Sequence, residues 1–216
     1  MVLQNIIPLV TCVNMSDYLL ETIKHNRNFF SDYYVLTSPD DNETKDLCKS
    51  FSAKTIEFNS FFCENATFNK SGGIHFAQEY LHQLYPDKWI LLLDVDIVFT
   101  KDLDLELHHY FDNNIFNNEY MYCVQRFDVL NHEELYSHCK KRLYNTKAAG
   151  FFQLYFNKSK YYPNFSRNAS DCDLYFAKLF DKRIEIQSYV LHLGLEGSHW
   201  DGRGTKWIHL SNSSLN

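Results

Sequence analysis

Trp89-Ile90-Leu91-Leu92-Leu93-Asp94-Val95-Asp96-Ile97-Val98-Phe99 lies near the middle of the 216-residue chain and joins an apolar run to a pair of acids. The run Trp89 to Leu93 has no polar residue on either alternate face, which is what a strand covered on both sides looks like. It is far shorter than the ~20 residues needed to cross a bilayer, and no longer apolar run occurs elsewhere, so no membrane span is expected.

Upstream of this run, strands and helices alternate. A β-branched run from Ile6 to Val13 is followed by Ser16 as a helix cap and by a helical pattern to about Arg27, with Leu19, Leu20 and Ile23 on one face. Tyr33 to Thr37 reads as a strand, Ser38-Pro39-Asp40-Asp41 as a turn, Glu43 to Ser50 as a helix and Ala53 to Phe58 as a third strand. Phe68-Asn69-Lys70-Ser71-Gly72-Gly73 precedes a helix from Ile74 to Tyr85, which Pro86 closes. Downstream, Tyr120 to Gln125, Phe151 to Phe156 and Ile184 to His192 read as strands and Ser170 to Phe180 as a helix, before a glycine-containing loop and a polar tail.

Alternation of this kind predicts an α/β fold with a central, mostly parallel sheet flanked by helices. No linker or repeat divides the chain. A single domain over 1–216 is expected, with 1–100 as the ligand-binding half, 101–210 as a second half and 211–216 as a tail. In open α/β sheets, ligands bind beyond the carboxyl ends of the strands, and Asp94 stands at such an end.

Composition narrows the partners. Twenty-one basic residues against 27 acidic give a net charge of −6, and 45% hydrophobic with 22% charged residues is ordinary globular usage. Nucleic acid is not an expected partner, because a sequence-independent duplex binder carries a basic stripe. A phosphate ligand would need a metal ion or a local cradle of amides. The six cysteines form no C-x-x-C pair and no zinc spacing, and the first residues carry no basic signal region, so reduced thiols in the cytoplasm are expected. Eight N-x-[ST] triplets occur, a by-product of an Asn-rich composition on this reading, since they act as acceptors only in secreted chains.

The two acids carry the chemistry. In an extended chain, residues i and i+2 point the same way about 6.5 Å apart, so Asp94 and Asp96 would share one cation while Val95 turns to the core. Hard carboxylate oxygens suit Mg²⁺ or Mn²⁺, which keep several waters and bridge to substrate phosphates. The plainer alternative is a pair of solvated carboxylates at a strand end.

With its flanking segments, the run Ile90 to Phe99 resembles the DxD segment of nucleotide-sugar-dependent glycosyltransferases with the GT-A fold, including the small enzymes of large algal viruses and bacterial glycan loci. The resemblance implies donor contacts at Thr11, which ends the first strand, at Asp40 and Asp41 in the acidic turn, and at Asp94 and Val95. Asn69-Lys70-Ser71-Gly72-Gly73 is similar to the family's N-x-x-G segment, which would turn Asn69, Lys70 and Gly73 to the nucleotide; a plain helix start capped by Ser71 is the alternative. Ala148 to Leu154 looks like the segment that lines the sugar pocket, led by Gly150.

Ser170-Asp171-Cys172-Asp173-Leu174 resembles the acidic motif of inverting members, except that Ser170 replaces the usual Glu. With Ser170 as cap, Asp173 falls where it can reach back to the cap amide, whereas Asp171 is free to act as base. An acid-rich helix start that suits the helix dipole is the alternative. His192-Leu193-Gly194 looks like the family's H-L-G segment, which makes His192 a metal ligand with His199 second. In the loop beyond it, Arg203 would clamp the diphosphate and Trp200 would cover the site.

The expected protein is therefore a Mn²⁺- or Mg²⁺-dependent glycosyltransferase. It would move a sugar from a nucleoside-diphosphate donor, UDP or GDP, to a glycan or glycoprotein hydroxyl with inversion, in the cytoplasm or a host's cytoplasm if viral. Two rivals remain. Asp94-Val-Asp96-Ile-Val98 also satisfies the D-x-D-x-[TV] motif of haloacid dehalogenase-type phosphatases, with Asp94 as nucleophile, although that family places the motif on its first strand. A non-catalytic nucleotide- or glycan-binding protein of the same fold is the other. A sugar nucleotidyltransferase is disfavoured because the chain start lacks a G-x-G-x-R run.

Overall fold

A computed structural model describes residues 2–136, 142–144, 150–156, 159–170, 172–194 and 199–207. In chain order the strands are β1 (Ile6–Thr11), β2 (Tyr34–Thr37), β3 (Lys54–Glu57), β4 (Trp89–Asp94), β5 (Ile97–Phe99), β6 (Met121–Val129), β7 (Arg142–Tyr144), β8 (Phe152–Phe156) and β9 (Arg183–Leu193). The helices are α1 (Ser16–Asn26), α2 (Asn42–Ser50), α3 (Lys70–Leu84), α4 (Lys101–Asp112), α5 (His132–Tyr136) and α6 (Cys172–Ala177).

All nine strands join one sheet in the order β3-β2-β1-β4-β8-β6-β9-β5, with β7 paired to β6. The first four run parallel, β8 inserts antiparallel beside β4, and β6 and β9 resume the first direction. Six strands thus share one direction, and β5, β7 and β8 oppose it. This is the mixed α/β architecture, with a mostly parallel central sheet flanked by helices, that the alternation of strands and helices predicts.

Two-sided burial explains the central strands. Ile6 and Val10 of β1 and Leu91 and Leu93 of β4 enter one core layer with Tyr18, Leu19 and Ile23 of α1 and Leu103 and Leu107 of α4. The alternate residues Ile7, Leu9, Ile90 and Leu92 enter a second layer with Ile74, Ala77 and Leu81 of α3 and Phe176 of α6. Strands whose alternate residues both meet helices must be apolar throughout. No helix among the described residues is long and apolar enough to cross a membrane.

Several expected boundaries move. α3 starts at Lys70 rather than Ile74, because Asn69 caps it: its Oδ1 accepts from the Gly72 amide at 3.0 Å. Ser71 is therefore not the cap. The two glycines tolerate close neighbours: a Cβ on Gly72 would meet the Asn164 carbonyl at 2.7 Å and one on Gly73 the Phe61 ring at 2.7 Å. The residue before α1 is Met15, with no side-chain cap bond, while the Ser16 hydroxyl turns away to donate to Glu43 at 2.7 Å. α6 is shorter than the expected Ser170 to Phe180, and Ser170 instead donates to Asn168 through both its amide and its hydroxyl. Residues 97–112 hold a short strand and a helix that the sequence reading left unassigned, although Thr100 caps α4 by accepting from the Leu103 amide.

Candidate active site at the carboxyl end of the central strands

β1 and β4 pair in parallel register, which places Thr11 beside Asp94 at the edge where both strands end. The next two residues form a turn into β5, not the extended chain expected. Val95 is buried in the core and its carbonyl accepts from the Thr22 hydroxyl at 2.9 Å; the Asp96 carbonyl accepts from the Leu193 amide at 2.8 Å. The turn is thus held by α1 and β9. It sends the two carboxylates to different protein partners, so the extended i, i+2 arrangement expected of them is not the one found.

Asp94 pairs with Lys70. The Lys70 ammonium, only 7% exposed, lies 2.7 Å from Asp94 Oδ1 and 3.3 Å from Asp173 Oδ2. Burial pulls the lysine's pKa down, but the Asp173 and Asp94 charges outweigh it and hold the ammonium well above the ordinary lysine value. Burial and the neighbouring Asp173 and Asp96 push Asp94 upward against the pull of Lys70. Asp173 is anchored further: the Tyr162 hydroxyl donates to its Oδ1 at 2.9 Å and also lies 2.6 Å from Gln153 Oε1. Gly150 lies directly beneath it, where a Cβ would fall 1.8 Å from Asp173 Oδ2. Lys70, Asp94, Gly150 and Asp173 therefore form one cluster drawn from α3, β4, the approach to β8 and α6.

Asp96 faces His192. Both are buried, and His192 Nε2 lies 3.3 Å from Asp96 Oδ2 while Nδ1 lies 3.0 Å from Asp128 Oδ1. Burial disfavours the charged imidazole, but Asp96 and Asp128 override it and raise its pKa to about 9. Burial likewise raises Asp96, and the His192 charge turns the balance to below the usual carboxylate range. Asp96 Oδ1 is buried with no hydrogen-bond partner.

That orphan oxygen tests the implied cation. Among the described residues, no three His, Cys, Asp or Glu side chains converge as a metal cage. Mn²⁺ and Mg²⁺ do not require one: they take one or two protein ligands and complete their shell with water and phosphate oxygens. An unpartnered buried carboxylate oxygen costs about 1–3 kcal/mol, which a cation would offset. Asp96 and His192 fit as such a pair of ligands.

The other expected site residues are placed as follows. Asp41 is buried as the cap of α2, accepting from the amides of Thr44 at 3.1 Å and Asn14 at 2.6 Å, and Asp40 is exposed beside it. Asn69 is the cap of α3, and Gly73 faces Phe61 and Leu36 in the core. His199 packs edge-on against Tyr18 at 5.1 Å and accepts from the Gly204 amide; burial lowers its pKa against the pull of Asp96. Arg203 is held by the Asn14 carbonyl at 2.6 Å and Asp17 at 2.8 Å, at the start of α1. Trp200 is half-exposed. Asp171 lies outside the described residues. The sequence reading missed Asp128, Arg126 and Tyr162; Arg126 and Asp128 at least show the polar alternation of one strand face.

No protein-family model and no curated protein matches the chain. Solved structures do resemble it. One titled only as a mycobacterial protein is 8% identical, with TM-score 0.55, over 90% of this chain and 69% of that one. The 4-diphosphocytidyl-2C-methyl-D-erythritol synthase of Anaerococcus prevotii is 12% identical, with TM-score 0.47, over 86% and 89%. Glucosyl-3-phosphoglycerate synthase of Mycobacterium tuberculosis, solved with Mn²⁺, UDP-glucose and phosphoglyceric acid, is 9% identical, with TM-score 0.47, over 90% and 74%. The named structures are thus nucleotidyl- and glycosyltransferases. At these identities the likeness is one of fold, and the chemistry must be argued from the site.

Proposed function

We propose that this chain is a divalent-cation-dependent glycosyltransferase that moves a sugar from a nucleoside-diphosphate donor, UDP or GDP, to a hydroxyl of a glycan or glycoprotein acceptor. The observation that carries the reading is the buried Asp96–His192 pair with its unpartnered carboxylate oxygen, set at the strand edge next to the Lys70–Asp94–Asp173 cluster.

Asp96 and His192 would hold Mn²⁺ or Mg²⁺, with Asp94 acting through water; when bound, the ion neutralises the charge that develops on the departing diphosphate. The protein's own groups do the rest. Thr11, which ends β1 beside Asp94, and Asp40 would meet the nucleotide, and Asp41 and Asn69 cap the helices α2 and α3. Lys70 fixes the orientation of Asp94 and Asp173, and Asp173 positions the acceptor. Asp171, two residues before Asp173 in sequence, accepts the acceptor hydroxyl's proton as that oxygen bonds to the anomeric carbon. The bond from that carbon to the diphosphate oxygen breaks with its electron pair, and the configuration inverts. His199, Trp200 and Arg203 would close over the donor, which requires Arg203 to leave Asp17.

A thermal-shift panel of UDP-, GDP-, CDP- and TDP-sugars and CTP, each with and without Mn²⁺, tests the reading. Stabilisation by one diphosphate-sugar only when metal is present is expected, since a ligand at 100 times its dissociation constant adds about 2.7 kcal/mol. A response to CTP alone would favour nucleotidyl transfer, and phosphate release from a generic phosphoester the phosphatase. Metal-dependent donor binding that survives with no transfer to any acceptor would leave a binding protein.

A further inference from the structure

We infer that Asp128 is a positioning residue for His192, holding the imidazole by Nδ1 so that Nε2 is presented to the cation position beside Asp96. The inference rests on reading Asp96 and His192 as cation ligands.

The sheet itself builds the arrangement. In the parallel pairing of β6 with β9, Asp128 is the direct partner of His192. On the other side of β9, His192 is the partner of Ile97, the residue after Asp96. The ring is thus flanked across the sheet by one carboxylate at each nitrogen, 3.0 Å and 3.3 Å away, and all three side chains are buried. With Nδ1 donating to Asp128, a cation would bind the ring only at Nε2, displacing the proton that faces Asp96. Of the two carboxylates beside the ring, Asp96, on the Nε2 side, is the one with a buried, unpartnered oxygen.

Asp128 is held in turn. Arg126, on the same face of β6, brings Nε within 3.0 Å of Asp128 Oδ1 and lays its guanidinium 5.1 Å from the Phe151 ring centre. Arg126 thus tethers Asp128 to Phe151, which directly follows Gly150. A carboxylate behind a metal-binding histidine fixes its tautomer and orientation, and loss of such a partner typically weakens metal binding 10–100-fold. A purely structural ion pair would weaken the fold on removal and leave metal affinity alone.

The test measures Mn²⁺ uptake by the full chain from the loss of the free-ion electron paramagnetic resonance signal, together with the imidazole N–H resonances of the metal-free protein. Wild type, His192→Ala, Asp128→Ala and Asp128→Asn are compared. His192→Ala and Asp128→Ala are expected to weaken Mn²⁺ binding 10–100-fold. Asp128→Asn, whose Oδ1 still accepts the Nδ1 proton, should weaken it severalfold and move the downfield Nδ1–H resonance upfield. That isosteric variant decides the matter if Asp128→Ala does not fold. Metal affinity lost in His192→Ala but unchanged in both Asp128 variants overturns the Asp128 assignment alone. Wild-type affinity in His192→Ala, or no uptake by wild type, overturns the ligand reading and with it this inference.

Discussion

The Lys70 ammonium lies 2.7 Å from Asp94, so the first residue of α3 is tied to the last residue of β4, the strand that follows it. The same nitrogen reaches Asp173 from the far end of the chain. Removing it would leave two carboxylates facing each other across a buried gap. Lys70→Met should therefore destabilise the protein by about 3 kcal/mol, the lower part of the range for breaking a buried pair. Adding Asp173→Asn should recover part of that loss. Urea unfolding of the two single variants and the double variant measures the coupling; strict additivity would refute it.

Gly150 is required by the position of Asp173. A Cβ there would overlap the carboxylate at 1.8 Å, so Gly150→Ala must displace Asp173 from Lys70 and Tyr162. Overpacking of this kind costs about 1–3 kcal/mol, and misplacing a site carboxylate by an ångström should lower transfer about 100-fold. Thermal melts and kcat/KM for the donor identified by the panel check both halves.

Chelation should abolish transfer, and added Mn²⁺ should restore it. Asp96→Asn should raise the Mn²⁺ concentration needed for half-maximal activity at least tenfold, since an amide is a poorer ligand for a hard cation. Activity that persists after exhaustive EDTA dialysis would sink the metal-dependent reading.

Asp171→Asn should abolish transfer while leaving metal-dependent donor binding intact, and NMR of the product should show an anomeric centre opposite to the donor's. Retained configuration together with an active Asp171→Asn variant would mean front-face displacement with no protein base at that position.

His82 makes stability fall in mild acid. Burial lowers its pKa to about 4 against the pull of Glu79, while its Nδ1 lies 2.6 Å from the Tyr161 hydroxyl. The unfolded chain, with histidine near 6.5, binds the proton more readily than the folded one. Its contribution is therefore complete above about pH 6.5 and is lost as pH falls toward 4. His82→Gln should flatten that part of the stability profile, measured by chemical denaturation at several pH values. An unchanged slope would show that another group sets it.

The apolar run at Trp89–Leu93 was legible because burial on both faces leaves no room for polar alternation, and the three strand–helix units before it carried ordinary start and stop signals. Asp94 stands out in the sequence because it ends that apolar run, and Asp96 because it follows two residues later; His192 stands near the end of β9. The three-residue strand β5 was not legible, since three residues carry no period. Asp128 and Arg126 read only as the polar residues of one strand face, and Tyr162 carried no local signal at all.

The α/β class, the central strand and the acid that ends it follow from local hydrophobic pattern and chain order, both of which are written in the sequence. Which acids lie together depends on how the chain folds. The fold separated Asp94 from Asp96 with a turn, gave one to Lys70 and Asp173 and the other to His192, and brought Asp128 behind that ring. Those partners lie 24 to 103 residues apart in the chain, and only the pairing and packing of the sheet bring them within hydrogen-bonding distance.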